Sequence, residues 1–315
     1  MTNNNSSNSN DLEEIIAGLQ NPQKMISPKY FYDERGSKLF EDICELPEYY
    51  LTRAEIGIMR ENMSDIADCA GPGTSVIEFG SGAGLKTRYL LEHLDQPLVY
   101  VPVDISGDHL VAVADEFSQD FPDIEVLPTV ADFTRPFPLP EPREMPLRNL
   151  VYFPGSTIGN FQPREALSLL RVMYQEAAAG GALLIGVDLK KDISVLDKAY
   201  NDSAGVTAEF NLNMLRRLNR EFGSDFDLEA FQHKAFFNES KGRIEMHLVS
   251  KVTQTVTLAG HTFHFEPGEA IITEYSHKYA LDDFADMVER AGFSMEKVWT
   301  DPKQWFGIHY CTRPA

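Results

Sequence analysis

Long apolar runs are missing from this sequence. No stretch approaches the roughly 18 uncharged apolar residues that a membrane-spanning helix needs. The N-terminus lacks the basic-then-apolar pattern of a secretory signal. Basic residues are scarce: 28 Lys and Arg stand against 48 Asp and Glu, giving a formal net charge of −20, and no Lys/Arg cluster interrupts the excess. This argues against a phosphate-backbone partner, because nucleic-acid binders present basic patches. Cysteine is sparse as well. Cys44, Cys69 and Cys311 are widely spaced and form no metal or disulfide pattern, so free thiols in a reducing cytoplasm are expected. No internal repeat is visible. What remains is an ordinary globular profile, 43% hydrophobic and 24% charged, in 315 residues, long enough for one large domain or two. The expectation is a cytoplasmic monomer without metal, membrane or nucleic acid.

The most informative stretch is residues 76–87, V-I-E-F-G-S-G-A-G-L-K-T. A short apolar run leads into Gly80, Gly82 and Gly84, and Leu85, Tyr89, Leu90, Leu91 and Leu94 then recur at roughly helical spacing. Strand, glycine turn and helix make the first unit of a Rossmann-like sheet, in which the glycines let the backbone turn and approach a ligand without Cβ clashes. The spacing is G-x-G-x-G, unlike the G-x-G-x-x-G of dinucleotide binders, which disfavours an NAD-dependent dehydrogenase. With Glu78 two residues before the first glycine, it resembles methyltransferases that use S-adenosylmethionine (SAM). Residues 98–105, L-V-Y-V-P-V-D-I, read as the second strand, with Asp104 placed to accept from ribose hydroxyls. Asp104 alone does not choose between cofactors. After a third strand, 124–130, comes Asp132-Phe133, an acid followed by an aromatic, which resembles the adenine-binding corner of SAM enzymes.

Along the rest of the chain, residues 1–10 predict a disordered polar tail. Residues 27–55 carry Tyr30, Phe31, Tyr32, Phe40, Tyr49 and Tyr50 among Gly and Pro turn signals. They suit a cap packed on the sheet or a lid lining a pocket for an amine, and the residues alone do not separate the two. Strand four (150–153) runs straight into P-G-S-T-I-G-N-F, which puts Gly155, Ser156, Thr157 and Asn160 at the carboxyl edge, where open α/β sheets bind ligands. Helices are expected at 165–179, 197–220 and 281–291, and strands at 182–187, 293–299 and 306–312, the last two as a closing antiparallel pair. A block rich in β signals between them, 236–265, with a turn at Ala259-Gly260, does not fit a plain doubly wound sheet. The expected organisation is a SAM-binding methyltransferase domain over 11–191 and 281–315, with an N-terminal aromatic cap, and an inserted α+β substrate-binding domain over 192–280.

Together these stretches resemble the histidine-specific, SAM-dependent methyltransferases of ergothioneine biosynthesis, which trimethylate the α-amine of L-histidine to give hercynine. The resemblance spans nearly the whole chain. It rests on Y-F-Y-D-E-R-G-S-K-L-F-E-D-I (30–43), L-P-E-Y-Y-L-T-R-A-E (46–55), E-F-G-S-G-A-G-L-K-T (78–87), V-P-V-D-I-S (101–106), F-P-G-S-T-I-G-N-F (153–161), D-L-K-K-D (188–192) and A-Y-N-D (199–202), and on the pair I-E-M-H-L (244–248) and I-T-E-Y-S (272–276). The glycine loop alone is weak; the aromatic segment with F-P-G-S-T-I-G-N-F and A-Y-N-D is specific.

The resemblance implies that Gly80, Gly82, Lys86, Asp104, Asp132 and Phe133 hold SAM, with Lys86 near its carboxylate, and that Tyr32 stands beside both cofactor and amine. It implies that Asn160 and Tyr200 grip the substrate amine and carboxylate, that Phe40, Tyr49 and Gly155 line the site, and that Glu274 and Ser276 read the imidazole with Met246 packed near it. Tyr32 and Asn160 are the catalytic candidates. Blander roles exist for several: Asn160 as a helix N-cap before Pro163, Glu274 as a solvated strand residue, Met246 as core filler. One fungal branch of the family methylates a prenylated tryptophan and should lack the side-chain acid; Glu274 favours histidine. The length implies a stand-alone methyltransferase without a fused second activity. A catalytically inactive SAM-fold binding protein is the non-enzyme alternative, and the intact glycine loop and ribose acid weigh against it.

Overall fold

The residues T-S-V-I-E-F form β1 (Thr74–Phe79), and all six are buried. A strand covered on both faces belongs in the middle of a parallel sheet. The computed structural model places it there, and describes residues 3–82, 84–105 and 107–315. The chain divides into two units, Leu51–Lys190 with Lys278–Ala315, and Met1–Tyr50 with Lys191–His277.

In the first unit β1 pairs in parallel with β2 (Val99–Asp104) on one side and with β5 (Arg148–Phe153) on the other. Beyond β2 lie β3 (Glu125–Val126) and β4 (Thr129–Val130), both parallel to it. One strand was expected over 124–130; Pro128 lies between the two short pieces and has no N–H for the ladder. On the far side β5 pairs with β6 (Ala182–Asp188). The expected antiparallel close is present, with β13 (Phe306–Thr312) between β6 and β12 (Ser294–Thr300). The order is β12-β13-β6-β5-β1-β2-β3. It reverses direction between β1 and β5, the position where a doubly wound sheet opens a ligand crevice at its carboxyl edge.

The helices of this unit are α3 (Leu51–Ala70), α4 (Leu85–Leu91), α5 (Gly107–Asp120), α6 (Pro163–Ala177) and α9 (Leu281–Ala291). On α9, Phe284, Val288 and Ala291 form the buried stripe, and Gly292, at φ +112°, ends the helix. Its stripe joins Leu169, Leu170 and Met173 of α6 over the strand residues Val151, Phe153, Leu183 and Ile185 in one apolar core.

The second unit holds α1 (Asn3–Gln20), α2 (Glu34–Glu45), α7 (Ile193–Tyr200) and α8 (Val206–Phe222), with strands β7 (Phe231–Asn238), β8 (Arg243–Ser250), β9 (Gln254–Leu258), β10 (His261–Phe265) and β11 (Ala270–His277). A three-stranded antiparallel sheet runs β11-β8-β7, and β9 and β10 form a hairpin. Its turn falls at Ala259 and Gly260, both at positive φ, as a tight two-residue hairpin requires. The single helix expected over 197–220 is two helices. Asp202 accepts from the Val206 and Thr207 N–H groups at 2.9 and 2.8 Å and caps α8, so the chain must break after Tyr200.

The N-terminal segment belongs to this second unit, whereas the sequence placed it with the SAM-binding domain. Backbone bonds explain the grouping: Ile26 N–H donates to Ile272 O and Ile272 N–H donates to Lys24 O, each at 2.9 Å, and the Phe31 ring stacks 4.4 Å from Phe210 of α8. From Asn3 onward the expected tail falls within α1, and Met1 and Thr2 lie outside the described residues.

Candidate active site

The sheet unit collects the expected cofactor residues at the carboxyl ends of its strands. Gly80 has φ +77°, and its N–H donates to Val103 O at 2.8 Å. The Gly82 N–H donates to Gly80 O at 3.0 Å, which closes the turn. A Cβ on Gly80 would stand 3.6 Å from the Phe133 ring, so the aromatic ring lies directly against the bare backbone. Phe133 in turn packs 5.5 Å from Phe79 and 5.9 Å from Phe153. Asp104 ends β2, partly buried. Asp132 sits in a turn just past β4, where its carboxylate accepts from the Thr134 N–H at 3.0 Å and hydroxyl at 2.6 Å. Ala83 of the glycine loop and Ser106 of V-P-V-D-I-S lie outside the described residues.

Two carboxylates brace this edge. Glu78 is 2% exposed at the end of β1 and accepts from the Thr87 hydroxyl at 2.6 Å and from the Tyr100 hydroxyl, tying α4 and β2 to the strand. Burial pushes its carboxyl up from the ordinary 4.5 to about 7, against the pull of those two hydrogen bonds. The folded state therefore holds this proton more tightly than the unfolded chain. The resulting stability is complete below about pH 4.5 and is lost as the pH rises through about 7. The thermal midpoint of the wild type is expected to fall between pH 5 and 8 relative to that of Glu78→Gln. Parallel midpoint curves for the two proteins would show that Glu78 is not the titrating group.

The second carboxylate is Glu55 of α3, the last residue of L-P-E-Y-Y-L-T-R-A-E. It is 1% exposed. The Lys86 ammonium donates to its Oε2 at 2.6 Å, and the Gly155 N–H lies 3.0 Å from both carboxylate oxygens. Gly186 on β6 leaves the space, since a Cβ there would fall 2.1 Å from Glu55 Oε1. The sequence signal was an acid between Leu51 and Met59 at four-residue spacing, on the stripe that α3 buries. Lys86, Gly155 and the glycine loop are thus brought to one place. The loop itself is bent there: Gly155 and Ser156 sit at φ +79° and +59°, and the Ser156 hydroxyl accepts from the Asp188 N–H at 2.9 Å. Asn160 ends the short helix Thr157–Asn160, half-buried. The N-cap of α6 is Gln162, with Glu165 completing a capping box, so Asn160 is not spent on that task.

The second unit holds the other expected substrate residues, while Gly155 and Asn160 lie in the sheet unit. Tyr32, Phe40, Tyr49 and Tyr200 form a chain of edge-to-face rings with centroids 5.7, 6.3 and 6.4 Å apart. Phe210 of α8, absent from the sequence reading, joins it 5.8 Å from Tyr32 and 6.0 Å from Phe40. The Tyr49 phenol is held well above its usual range, first by burial and then by the neighbouring Tyr200, Cys44, Glu274 and Tyr32. The Tyr200 hydroxyl donates to Ser276 Oγ at 2.9 Å. Glu274 lies opposite Met246 across the β8–β11 ladder, and Ser276 opposite Ile244, so Glu274, Ser276 and Met246 share a face. All three are buried, which sets aside the solvated-strand role for Glu274. The A-Y-N-D motif explains itself locally: Tyr200 reaches Ser276, Asn201 bonds both the N–H and the carbonyl of Ala235, and Asp202 caps α8.

Among the described residues no group of three or more His, Cys, Asp or Glu side chains could hold a metal ion. The residues do fit SAM in kind: bare glycine backbone beneath an aromatic ring, carboxylates after β2 and β4, and a lysine beside the glycine loop.

Comparison with known proteins agrees. A family model described as histidine-specific methyltransferase, SAM-dependent, matches residues 11–313. A histidine N-alpha-methyltransferase of Mycolicibacterium smegmatis is 38% identical over 306 residues, covering 95% of this chain and 94% of the relative. One from Mycobacterium tuberculosis is 37% identical over 302 residues, covering 94% and 92%. A solved structure from Bordetella parapertussis, described as a possible exported protein, aligns over 100% of both chains with a TM-score of 0.50 at 12% identity, which speaks to the fold alone.

Proposed function

This chain belongs to the histidine-specific, SAM-dependent methyltransferases, and on that premise we propose that it transfers three methyl groups from SAM to the α-amine of L-histidine, giving hercynine for ergothioneine biosynthesis. The observation that carries the reading is the match along residues 11–313, which takes in both units. Bound SAM supplies a methyl already activated on a sulfonium, so the chain's own work is alignment and provision of a neutral amine. In this reading Gly80, Gly82, Lys86, Asp104, Asp132 and Phe133 serve the donor. Tyr32, Phe40, Tyr49, Tyr200, Met246, Glu274 and Ser276, with Gly155 and Asn160, serve the acceptor. Tyr32 and Asn160 orient the amine, which loses a proton to water before each attack. The rings of Tyr32, Phe40, Tyr49 and Phe210 suit a nitrogen that ends as a quaternary cation, since such groups favour aromatic faces. Glu274 and Ser276 select the imidazole, because a carboxylate and a hydroxyl on one buried face offer it polar partners that an apolar side chain cannot use. The Glu274 carboxylate favours histidine over a tryptophan derivative.

We take the protein to be a cytoplasmic monomer, with the −20 charge weighing against nucleic acid and three free cysteines suiting a reducing compartment. No helix among the described residues is long and apolar enough to cross a membrane.

The deciding experiment is mass spectrometry of purified protein with SAM and an equimolar mixture of the common amino acids. Histidine carrying three methyls, with no other product, is the expected result. A different methylated amino acid would leave the donor side standing and overturn the roles given to Glu274 and Ser276. SAM binding without any product would point to a modified substrate or to a non-catalytic protein.

A further inference from the structure

The register of the β8–β11 ladder slips by one residue next to the acceptor site. Ile272 lies opposite His247, yet Glu274 lies opposite Met246. Two steps along β11 match one along β8, so Thr273 is the extra residue of a β-bulge. The consequence follows from the two-residue period of a strand, since a one-residue slip turns every later side chain to the other face. Continued from Ile272 without the bulge, the ladder would set Glu274 opposite Glu245 and Ser276 opposite Arg243. That face is already occupied by an ion cluster, in which Glu245 accepts from Arg243 Nη2 at 2.8 Å and pairs with His247 Nε2 at 3.1 Å. A second acid there would add like charge. With the bulge, Glu274 and Ser276 share the face of Met246, where the Tyr200 hydroxyl meets Ser276.

A buried polar network pins the bulge. The Thr273 hydroxyl donates its one proton to Asn211 Oδ1 at 2.7 Å, with Met246 O also in reach at 3.0 Å. Asn211 Nδ2 donates to His247 O at 3.1 Å and to His233 Nδ1 at 2.9 Å. Because Nδ1 accepts, the other ring nitrogen carries the proton, and His233 Nε2–H donates to Tyr200 O at 2.9 Å. Thr273 and Asn211 are both 0% exposed. The network runs unbroken from the backbone of Tyr200 to the bulge beside Glu274, with no member unpaired.

We propose that Thr273 and Asn211 are positioning residues for acceptor specificity: they hold the bulge that turns Glu274 and Ser276 onto the substrate-reading face. The proposal rests on the reading of those two residues as the imidazole-binding pair. It is tested by steady-state kinetics with histidine varied at saturating SAM, and by calorimetric SAM binding. Thr273→Val keeps the shape and deletes the hydroxyl, leaving Asn211 Oδ1 without its buried donor. The KM for histidine is expected to rise on the order of tenfold, with kcat changed less and SAM affinity unchanged. Thr273→Ser restores the hydroxyl and should return KM to within about twofold of the wild type. Asn211→Leu, which leaves residue 273 untouched, should move KM in the same direction and decides the matter should Thr273→Val fail to fold. An unchanged histidine KM in either folded variant overturns the proposal, as does an equal loss of histidine and SAM affinity, the signature of general loosening. Failure of the wild type to methylate histidine would instead defeat the functional reading beneath it.

Discussion

Replacing Glu274 with alanine is expected to raise the KM for histidine by about 10- to 100-fold while the SAM dissociation constant stays where it was. The magnitude follows from the residue's setting. Glu274 is 9% exposed, faces Met246 across the ladder and stands near the Tyr49 phenol. A hydrogen bond to a charged group contributes roughly 1.5–3 kcal/mol, and the imidazole is the partner the functional reading assigns to it. The same change should narrow selectivity from both directions. Histidine loses a partner, and an apolar amino acid no longer has to lie against a buried carboxylate. Kinetics with histidine and phenylalanine in parallel, together with calorimetry for SAM, read all three quantities. A Glu274→Ala protein with the wild-type histidine KM would remove this residue from the acceptor side. Equal losses for histidine and SAM would mean that the substitution had disturbed the fold.

Much of the sheet unit was legible because its signals are local. A buried apolar strand running into glycines at positive φ, with an acid at the end of the next strand, announces its position in a doubly wound sheet without knowledge of distant residues. Helix α9 was readable to its ends because its apolar stripe and its stop at Gly292 coincide. The failures are non-local. The grouping of the N-terminal aromatic segment with the second unit has no local signal, because it depends on bonds to Ile272 and on the Phe31–Phe210 stack, partners some 180 residues or more distant. The break after Tyr200 was missed because Asp202, within an apolar helical pattern, acts as a cap. The shared face of Glu274, Ser276 and Met246 could not be read from alternation, because the bulge at Thr273 interrupts the period that such a reading assumes. Glu55 was visible only as an acid on an apolar stripe, and its two partners, Lys86 and Gly155, come from α4 and from the loop after β5.

Glu55 gives the other large effect. Its carboxylate takes the Lys86 ammonium on one oxygen and the Gly155 N–H on both, in a slot that Gly186 keeps open. Glu55→Ala leaves a backbone donor buried without an acceptor and a lysine without its counter-charge. Breaking a buried pair on one side costs roughly 3–5 kcal/mol, and for a protein of this size that lowers the thermal midpoint by about 5 to 8 °C. Glu55→Gln keeps a carbonyl for Gly155 and loses only the charge, so its midpoint should fall between the two. The signs then separate stability from function. With Glu55 neutralised, Lys86 loses the carboxylate it is bonded to, and in the proposed role it turns to that of SAM. SAM affinity should therefore hold or tighten in Glu55→Gln while kcat for histidine falls, because Gly155 and Lys86 no longer share one rigid anchor. The double variant Glu55→Gln/Lys86→Met removes both charges and should be less destabilised than the two single changes added together. Additive losses in that cycle would show that the pair is not coupled. They would leave the bent loop at Gly155 and Ser156 to be held by the Asp188 N–H bond to Ser156 instead.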